Sequence, residues 1–228
     1  MKRSLINREI QYAIDFFREH HFALPPFAYW TPRQWETMGP QADEIRSRRL
    51  GWDVTDFGSC RFENVGLTVF TIRNGRLDDP NNRKIYAEKI LVVREAQVIP
   101  MHMHFSKTED IINRGGGRLL TKLYNSDPNE RLADSPVTVS CDGVEQTLPA
   151  GGTVEQDTGQ SITIVPGLYH EFQAAPGGGT ALVGEVSSVN DDSTDNRFLN
   201  ELPRFPSIDE DEPPAHLLCT EYPAAGGA

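Results

Sequence analysis

The sequence predicts a mainly β protein, an antiparallel sandwich or barrel preceded by a helical extension. Three observations predict it. From about residue 51 onward, short β-branched and apolar runs recur. Glycine-rich turn signals separate those runs. Residues 1–50 instead carry apolar side chains at helical spacing. At 228 residues the chain can bury a substantial core as one domain. With 38% hydrophobic and 24% charged residues, it has the composition of a folded globular protein.

The elements follow in chain order. Leu5, Ile6, Ile10, Ala13, Ile14, Phe16 and Phe17 recur near the helical period, with Asn7 as a plausible N-cap. Pro25-Pro26 ends that helix. A second, brief helix starts at Thr31, where Thr31, Pro32 and Gln34 fill the positions of N-cap, first-turn proline and capping-box partner. Strands are expected at 67–73, 84–94, 117–124, 137–140, 161–165 and 180–188. Asn74-Gly75, Asp142-Gly143, Ala150-Gly151-Gly152 and Pro176-Gly177-Gly178-Gly179 punctuate them. Gly115-Gly116-Gly117 reads as another turn, since the Lys-Ser/Thr of a phosphate loop does not follow. The division expected is a helical extension over 1–50, a barrel over 51–202 and an extended, irregular tail over 203–228 in a single structural domain, its last residues disordered.

The net charge of -11 opposes nucleic acid and anionic membrane surfaces as partners. Nowhere does an apolar run approach the roughly 20 residues that span a bilayer. The start, Met1 to Leu5, lacks the pattern of a secretory signal. Cys60, Cys141 and Cys219 are scattered and odd in number, which suits free thiols in a reducing cytoplasm. A cytoplasmic protein is the expectation.

The segment from Pro100 to Glu109 carries the chemistry. Along a strand, residues two apart share a face. His102 and His104 therefore present two imidazoles together, while Met103 points away. Glu109 follows closely enough for a tight turn to bring its carboxylate beside them. His170 follows the strand at 161–165, behind Pro166-Gly167. Three imidazoles and a carboxylate suit manganese, iron, cobalt, nickel or zinc. His20, His21 and His216 have no such context.

These residues resemble the cupin signature. His102, His104, Glu109 and Gly116 match its first motif, although Ala96 stands at its opening glycine. Gly159, Pro166, Gly167 and His170 match the second loosely, with Ala174 at its final asparagine. The resemblance implies a cupin double-stranded β-helix, a jelly-roll barrel. Beyond the motifs the chain resembles the D-lyxose isomerase family, in 84–93, in the Pro-Gly-x-x-His segment, and in 184–192 with Asp195-Asn196-Arg197-Phe198. That resemblance implies a manganese-dependent sugar isomerase, often a homodimer, with a small sugar as its partner.

An aldose–ketose isomerase moves one proton between C1 and C2 and another between the two oxygens. Four protein ligands on an octahedral ion such as manganese leave two positions for a sugar, whereas four would close a tetrahedral zinc site. Lys89 and Glu185, both on expected strands, are the candidate acid–base pair. Asp191, Asp192 and Arg197 are candidates for holding sugar hydroxyls. Trp30, Trp35 and Trp52 fit core roles better than sugar stacking. Sugar-phosphate isomerisation would need a basic pocket, and the densest basic run, Arg46, Arg48 and Arg49, reads as surface. An iron-dependent oxygenase and a non-catalytic sugar-binding cupin stay open as alternatives.

Overall fold

A computed structural model describes residues 1–77, 83–189, 191 and 194–225. Helix α1 spans Arg3–Glu19. Ile6, Ile10, Ala13 and Phe17 lie on its buried face, as their spacing demands. Asn7 does not cap it, which corrects the expectation above. The helix begins four residues earlier, and its first turn is satisfied from the far end of the chain: Ser4 donates both its backbone N–H and its hydroxyl to Asp211. Asn7 instead donates to Glu212 and to the Pro213 carbonyl. A cap supplied across the fold leaves no local sequence signal. Helix α2 (Pro32–Glu36) has the full capping box of Thr31 and Gln34. Helix α3 (Asp43–Ser47) carries Arg46, which donates to the carbonyls of Met38, Gly39 and Pro223, so this arginine knits loops together rather than facing water.

The strands are β1 (Gly51–Thr55), β2 (Leu67–Arg73), β3 (Tyr86–Val93), β4 (Val98–His104), β5 (Glu109–Gly116), β6 (Leu119–Asn125) and β7 (Val137–Cys141). They continue as β8 (Val144–Leu148), β9 (Thr153–Gln156), β10 (Ser161–Ile164), β11 (Leu168–Ala174), β12 (Ala181–Ser188) and β13 (Asn196–Phe198). They form two sheets, ordered β1-β2-β3-β12-β5-β10-β7-β8 and β13-β4-β11-β6-β9. All the pairings within them are antiparallel. The expected mainly β barrel with a helical extension is what the chain forms.

Between the sheets lies a core that includes Val69, Leu91, Val93, Ile111, Leu123, Ile162, Phe172 and Val183. A second core lies on the opposite face of the larger sheet, where Ile6, Ile10 and Phe17 of α1 pack with Trp52, Phe70, Ile90, Val92 and Leu182. Each large apolar side chain so buried contributes roughly 1.5–3 kcal/mol. Two covered faces explain why β3 reads as an unbroken apolar run, Ile90 to Val93, instead of an alternating one. Trp35 and Trp52 are buried, Trp52 donating to the Ala28 carbonyl.

Residues 203–225 form no helix or strand and are mostly exposed or half-buried, but they are anchored at several points. Buried Arg3 pairs with Glu210 and Glu221. Leu218 bridges to Trp52, and Tyr222 stacks on Trp35 at 3.9 Å while donating to the Leu50 carbonyl. The strap thus ties α1 and the loop before β1 to one edge of the larger sheet. Gly226, Gly227 and Ala228, expected to be disordered, lie outside the described residues.

The two departures from the cupin signature meet each other. Ala96 has φ +58°, the left-handed region that a glycine enters without strain. Its N–H donates to the carbonyl of Ala174 at 3.1 Å. The signature's turn is therefore made, with alanine held where glycine would sit freely. Gly116 keeps the matching turn: its φ is +75°, and a Cβ there would lie 2.2 Å from the Thr180 carbonyl oxygen.

Candidate metal centre and active site

Strand pairing assembles the centre. In the smaller sheet β11 lies against β4 with His170 opposite His102, and β13 lies on the other side of β4 with Asn196 opposite His104. In the larger sheet Glu109 begins β5, and Lys89 of β3 sits opposite Glu185 of β12. The imidazoles thus come from one sheet and the carboxylates from the other, facing across the barrel. His170 itself lies on strand β11, and the pairing of β11 with β4 is what aims it at His102.

Ring nitrogens of His102, His104 and His170 all lie within 4.8 Å of one another. Glu109 Oε1 is 3.3 Å from Nε2 of both His104 and His170. His102 Nδ1 is 2.8 Å from the Pro100 carbonyl, and His170 Nδ1 is 2.9 Å from the Leu168 carbonyl. A carbonyl only accepts, so both Nδ1 atoms carry the proton and both Nε2 atoms present lone pairs. Those two Nε2 atoms are only 3.0 Å apart. Two lone pairs facing each other repel unless a positive centre lies between them. His104 Nδ1, His104 Nε2 and Glu109 Oε1 are buried and make no hydrogen bond among the described residues. Orphaned buried polar atoms cost about 1–3 kcal/mol each. The donor set therefore fits a divalent cation, which would satisfy one ring nitrogen of His104, Glu109 Oε1 and the two facing Nε2 atoms at once. The backbone carbonyls on Nδ1 orient the rings, as outer partners of metal-binding histidines do.

The electrostatics agree. Burial, then His170 and His104 nearby, holds His102 well below the ordinary imidazole range. Burial and the charge of Lys107 lower His104 as well. Burial pushes the Glu109 carboxyl upward, but Lys107, His104 and His170 outweigh it and hold Glu109 well below the usual carboxylate range. Neutral imidazoles beside an ionised carboxylate are the forms that ligate a metal.

Next to these donors runs a buried chain of alternating charge. Lys107 Nζ lies 2.6 Å from Glu109 Oε2 and 3.0 Å from Glu185 Oε1. Lys89 Nζ lies 3.3 Å from the same Glu185 oxygen. Lys89 and Glu185 both face inward, as their candidacy requires. Sequence reasoning missed Lys107, although its place between His104 and Glu109 was a signal. It also missed Asn196 and Arg204, which line the chamber with the metal donors. Asn196 points inward because it alternates with Arg197 along β13. Arg204 comes from the strap, ion-paired to buried Asp53 at 2.5 Å.

The other expectations fare differently. Arg197 lies opposite outward-facing Met103, pairs with Glu130 at 3.0 Å, and is 40% exposed, so the structure takes it away from the chamber. The same alternation that turns Asn196 inward turns Arg197 out. Asp191 is exposed and lines a separate outer cavity of about 430 Å3, together with Arg48, Arg49 and Arg76. Asp192 lies outside the described residues. The inner chamber is about 50 Å3. A water needs about 10–15 Å3 of such space, so the chamber has room for a few small polar groups and not for a whole monosaccharide-sized molecule. Val69 and Lys89 line both spaces, which places Lys89 at the passage between them.

Comparison with known proteins gives the chain its relatives. The D-lyxose isomerase family model matches residues 1–222. A D-lyxose/D-mannose isomerase of Escherichia coli O157:H7 is 52% identical over 223 residues, 97% of this chain and 98% of that one. One from Serratia proteamaculans is 49% identical over the same shares. Among solved structures, Acinetobacter sp. DL28 L-ribose isomerase in complex with L-ribose superposes with a TM-score of 0.59 at 12% identity, covering 88% of this chain and 93% of that one. Cellulomonas parahominis L-ribose isomerase with L-psicose gives 0.54 at 15% identity, covering 88% and 93%. At such identities the likeness speaks for the fold alone.

Proposed function

The chain belongs to the D-lyxose isomerase family and is an aldose–ketose isomerase, and we propose that it interconverts D-lyxose with D-xylulose, and D-mannose with D-fructose, at a manganese centre held by His102, His104, Glu109 and His170. The observation that carries this reading is the convergence of those four side chains beside the buried Lys89–Glu185 pair. D-Lyxose and D-mannose share configuration at C2 and C3, so one chamber can orient both. The outer cavity has room for the additional carbon of the hexose.

When bound, the cation supplies Lewis-acid stabilisation of the negative charge that develops as the ene-diol forms. The chain's own groups move the protons. Glu185 is the base that takes the proton from C2 of the aldose and returns it to C1. Lys89, ion-paired to Glu185, is the acid that serves the oxygens. Its place at the passage lets it meet the sugar at C1–C2 while the distal carbons extend outward. Asn196 and Arg204 donate to sugar hydroxyls in the chamber, and Asp191 receives those that reach the outer cavity. Burial of the whole set keeps bulk water from the reacting carbons.

The chain contains no helix among the described residues long and apolar enough to cross a membrane. The proposal places the enzyme in the cytoplasm, supported by the free thiols of Cys60 and Cys141, and as a homodimer by family resemblance, which sedimentation tests. The activity test loads metal-free protein with Mn2+ and follows ketose formation across an aldose panel. Turnover of D-lyxose and D-mannose is the expected result. Oxygen consumption with ferrous ion and no ketose from any aldose would instead favour an oxygenase.

A further inference from the structure

The two oxygens of Glu109 have different partners. Oε1 faces Nε2 of His104 and His170, and Oε2 faces the ammonium of Lys107 at 2.6 Å. Lys107 is 2% exposed. Its backbone is fixed as well. Asp195 accepts from Ser106 N–H at 2.8 Å, from the Ser106 hydroxyl at 2.8 Å and from Lys107 N–H at 3.0 Å. This carboxylate pins the short connection between β4, which carries two of the imidazoles, and β5, which opens with Glu109. On its other side the Lys107 ammonium lies 3.0 Å from Glu185 Oε1, so it is held from two directions.

A carboxylate can ligate a cation through one oxygen or through both. For Glu109 to use both, Oε2 would have to leave a charge-assisted contact with Lys107 in a dry interior, where such contacts are strongest. We propose that Lys107 is a positioning residue that restricts Glu109 to one-oxygen ligation and thereby keeps a second coordination position open for the sugar. The inference rests on the metal centre proposed above. Four protein donor atoms on a six-coordinate ion leave two positions, enough for O1 and O2 of an open-chain sugar. A fifth donor atom would leave one. Lys107 in this account acts through Glu109, and Asp195 acts through Lys107.

The test counts exchangeable waters on Mn2+ by water-proton relaxivity and 17O-water ENDOR, alongside Mn2+ affinity, in the full chain. Wild type is expected to show two waters. Lys107→Met is expected to show one, with affinity equal to or tighter than wild type, because a positive charge is gone and a ligand atom is gained. Turnover should fall at least 10-fold. Lys107→Arg, which keeps charge and donors, should retain two waters. A merely structural lysine would weaken Mn2+ binding when removed and leave the water count alone. Two waters in Lys107→Met, or a tenfold weaker affinity, overturns the proposal. Should Lys107→Met fail to fold, Asp195→Asn is read in its place. It is expected to lose a water in part of the molecules, and an unchanged count overturns the proposal. A wild-type chain that takes up no Mn2+ removes the metal reading and this inference together, before any variant is compared.

Discussion

Protonation and position of single side chains decide the chemistry. With each Nδ1 committed to a carbonyl, His102 and His170 have only Nε2 to offer, and they offer it to the same point in space. Replacing His170 by alanine should weaken Mn2+ binding by more than about 100-fold, beyond the range seen when only an outer partner of a ligand is lost, as measured by titration against a chelator. Glu185→Gln should behave oppositely, with Mn2+ affinity within a few-fold of wild type and kcat down by about 10²–10⁴ for loss of a general base. The pH dependence follows from the same residues. His102 and His104 have folded-state pKa values below the ordinary 6.5 of the unfolded chain. The unfolded chain then binds more protons below that pH, so their contribution is intact above it and is lost as pH falls toward the folded values. Metal-free protein should melt at a lower temperature at pH 5 than at pH 7, with Glu109 adding its loss only further into acid. His102, His104 and Glu109 stood out in the sequence because their spacing is a local pattern, and His170 stood out only through its Pro-Gly turn. Asn196 and Arg204 did not, since nothing in a lone asparagine or arginine says which way it faces; Lys107 had only its place between His104 and Glu109 to mark it. Arg197 was misplaced for the same reason, by one residue of strand alternation.

Strands and turns position those groups, and here local sequence speaks unevenly. The brief helix α2 was readable to its capping box, and β2 to its ends, because their signals are short-range. Strands β5 and β11 were overlooked as elements. Glycines and polar residues at their chamber-facing and outer positions break the apolar alternation, and only pairing with β12 and β6 makes them strands. The N-terminus of α1 was misjudged because its partner, Asp211, comes from the tail. Ala96 shows how a motif can depart in residue yet keep its backbone. Ala96→Gly should relieve the left-handed strain, worth about 1–2 kcal/mol, against an added unfolded-state entropy of about 0.5–1 kcal/mol. A small rise in melting temperature is the expected outcome. Gly116→Ala should do the reverse and more strongly, because its Cβ would meet the Thr180 carbonyl. Differential scanning calorimetry of both variants checks the pair.

At the level of the whole molecule, the barrel, α1 and the strap form one packed unit that converges on the chamber. The strap holds α1 by Arg3 with Glu210 and Glu221, and it delivers Arg204 to the chamber wall. Arg3→Ala leaves two carboxylates without their shared cation. Glu210 is 56% exposed, so water screens part of the loss, which should fall below that of a fully buried pair. Chemical denaturation should show that loss while Mn2+ affinity stays unchanged, since the clasp lies on the far face of the larger sheet. Three imidazoles and one carboxylate from opposing sheets are proposed to share a single cation. Anomalous diffraction from crystals loaded with Mn2+ tests that sharing most directly. One peak per chain is expected, bonded to His102, His104, His170 and a single oxygen of Glu109. A peak elsewhere, or a His170 ring turned away from the other three side chains, would contradict it.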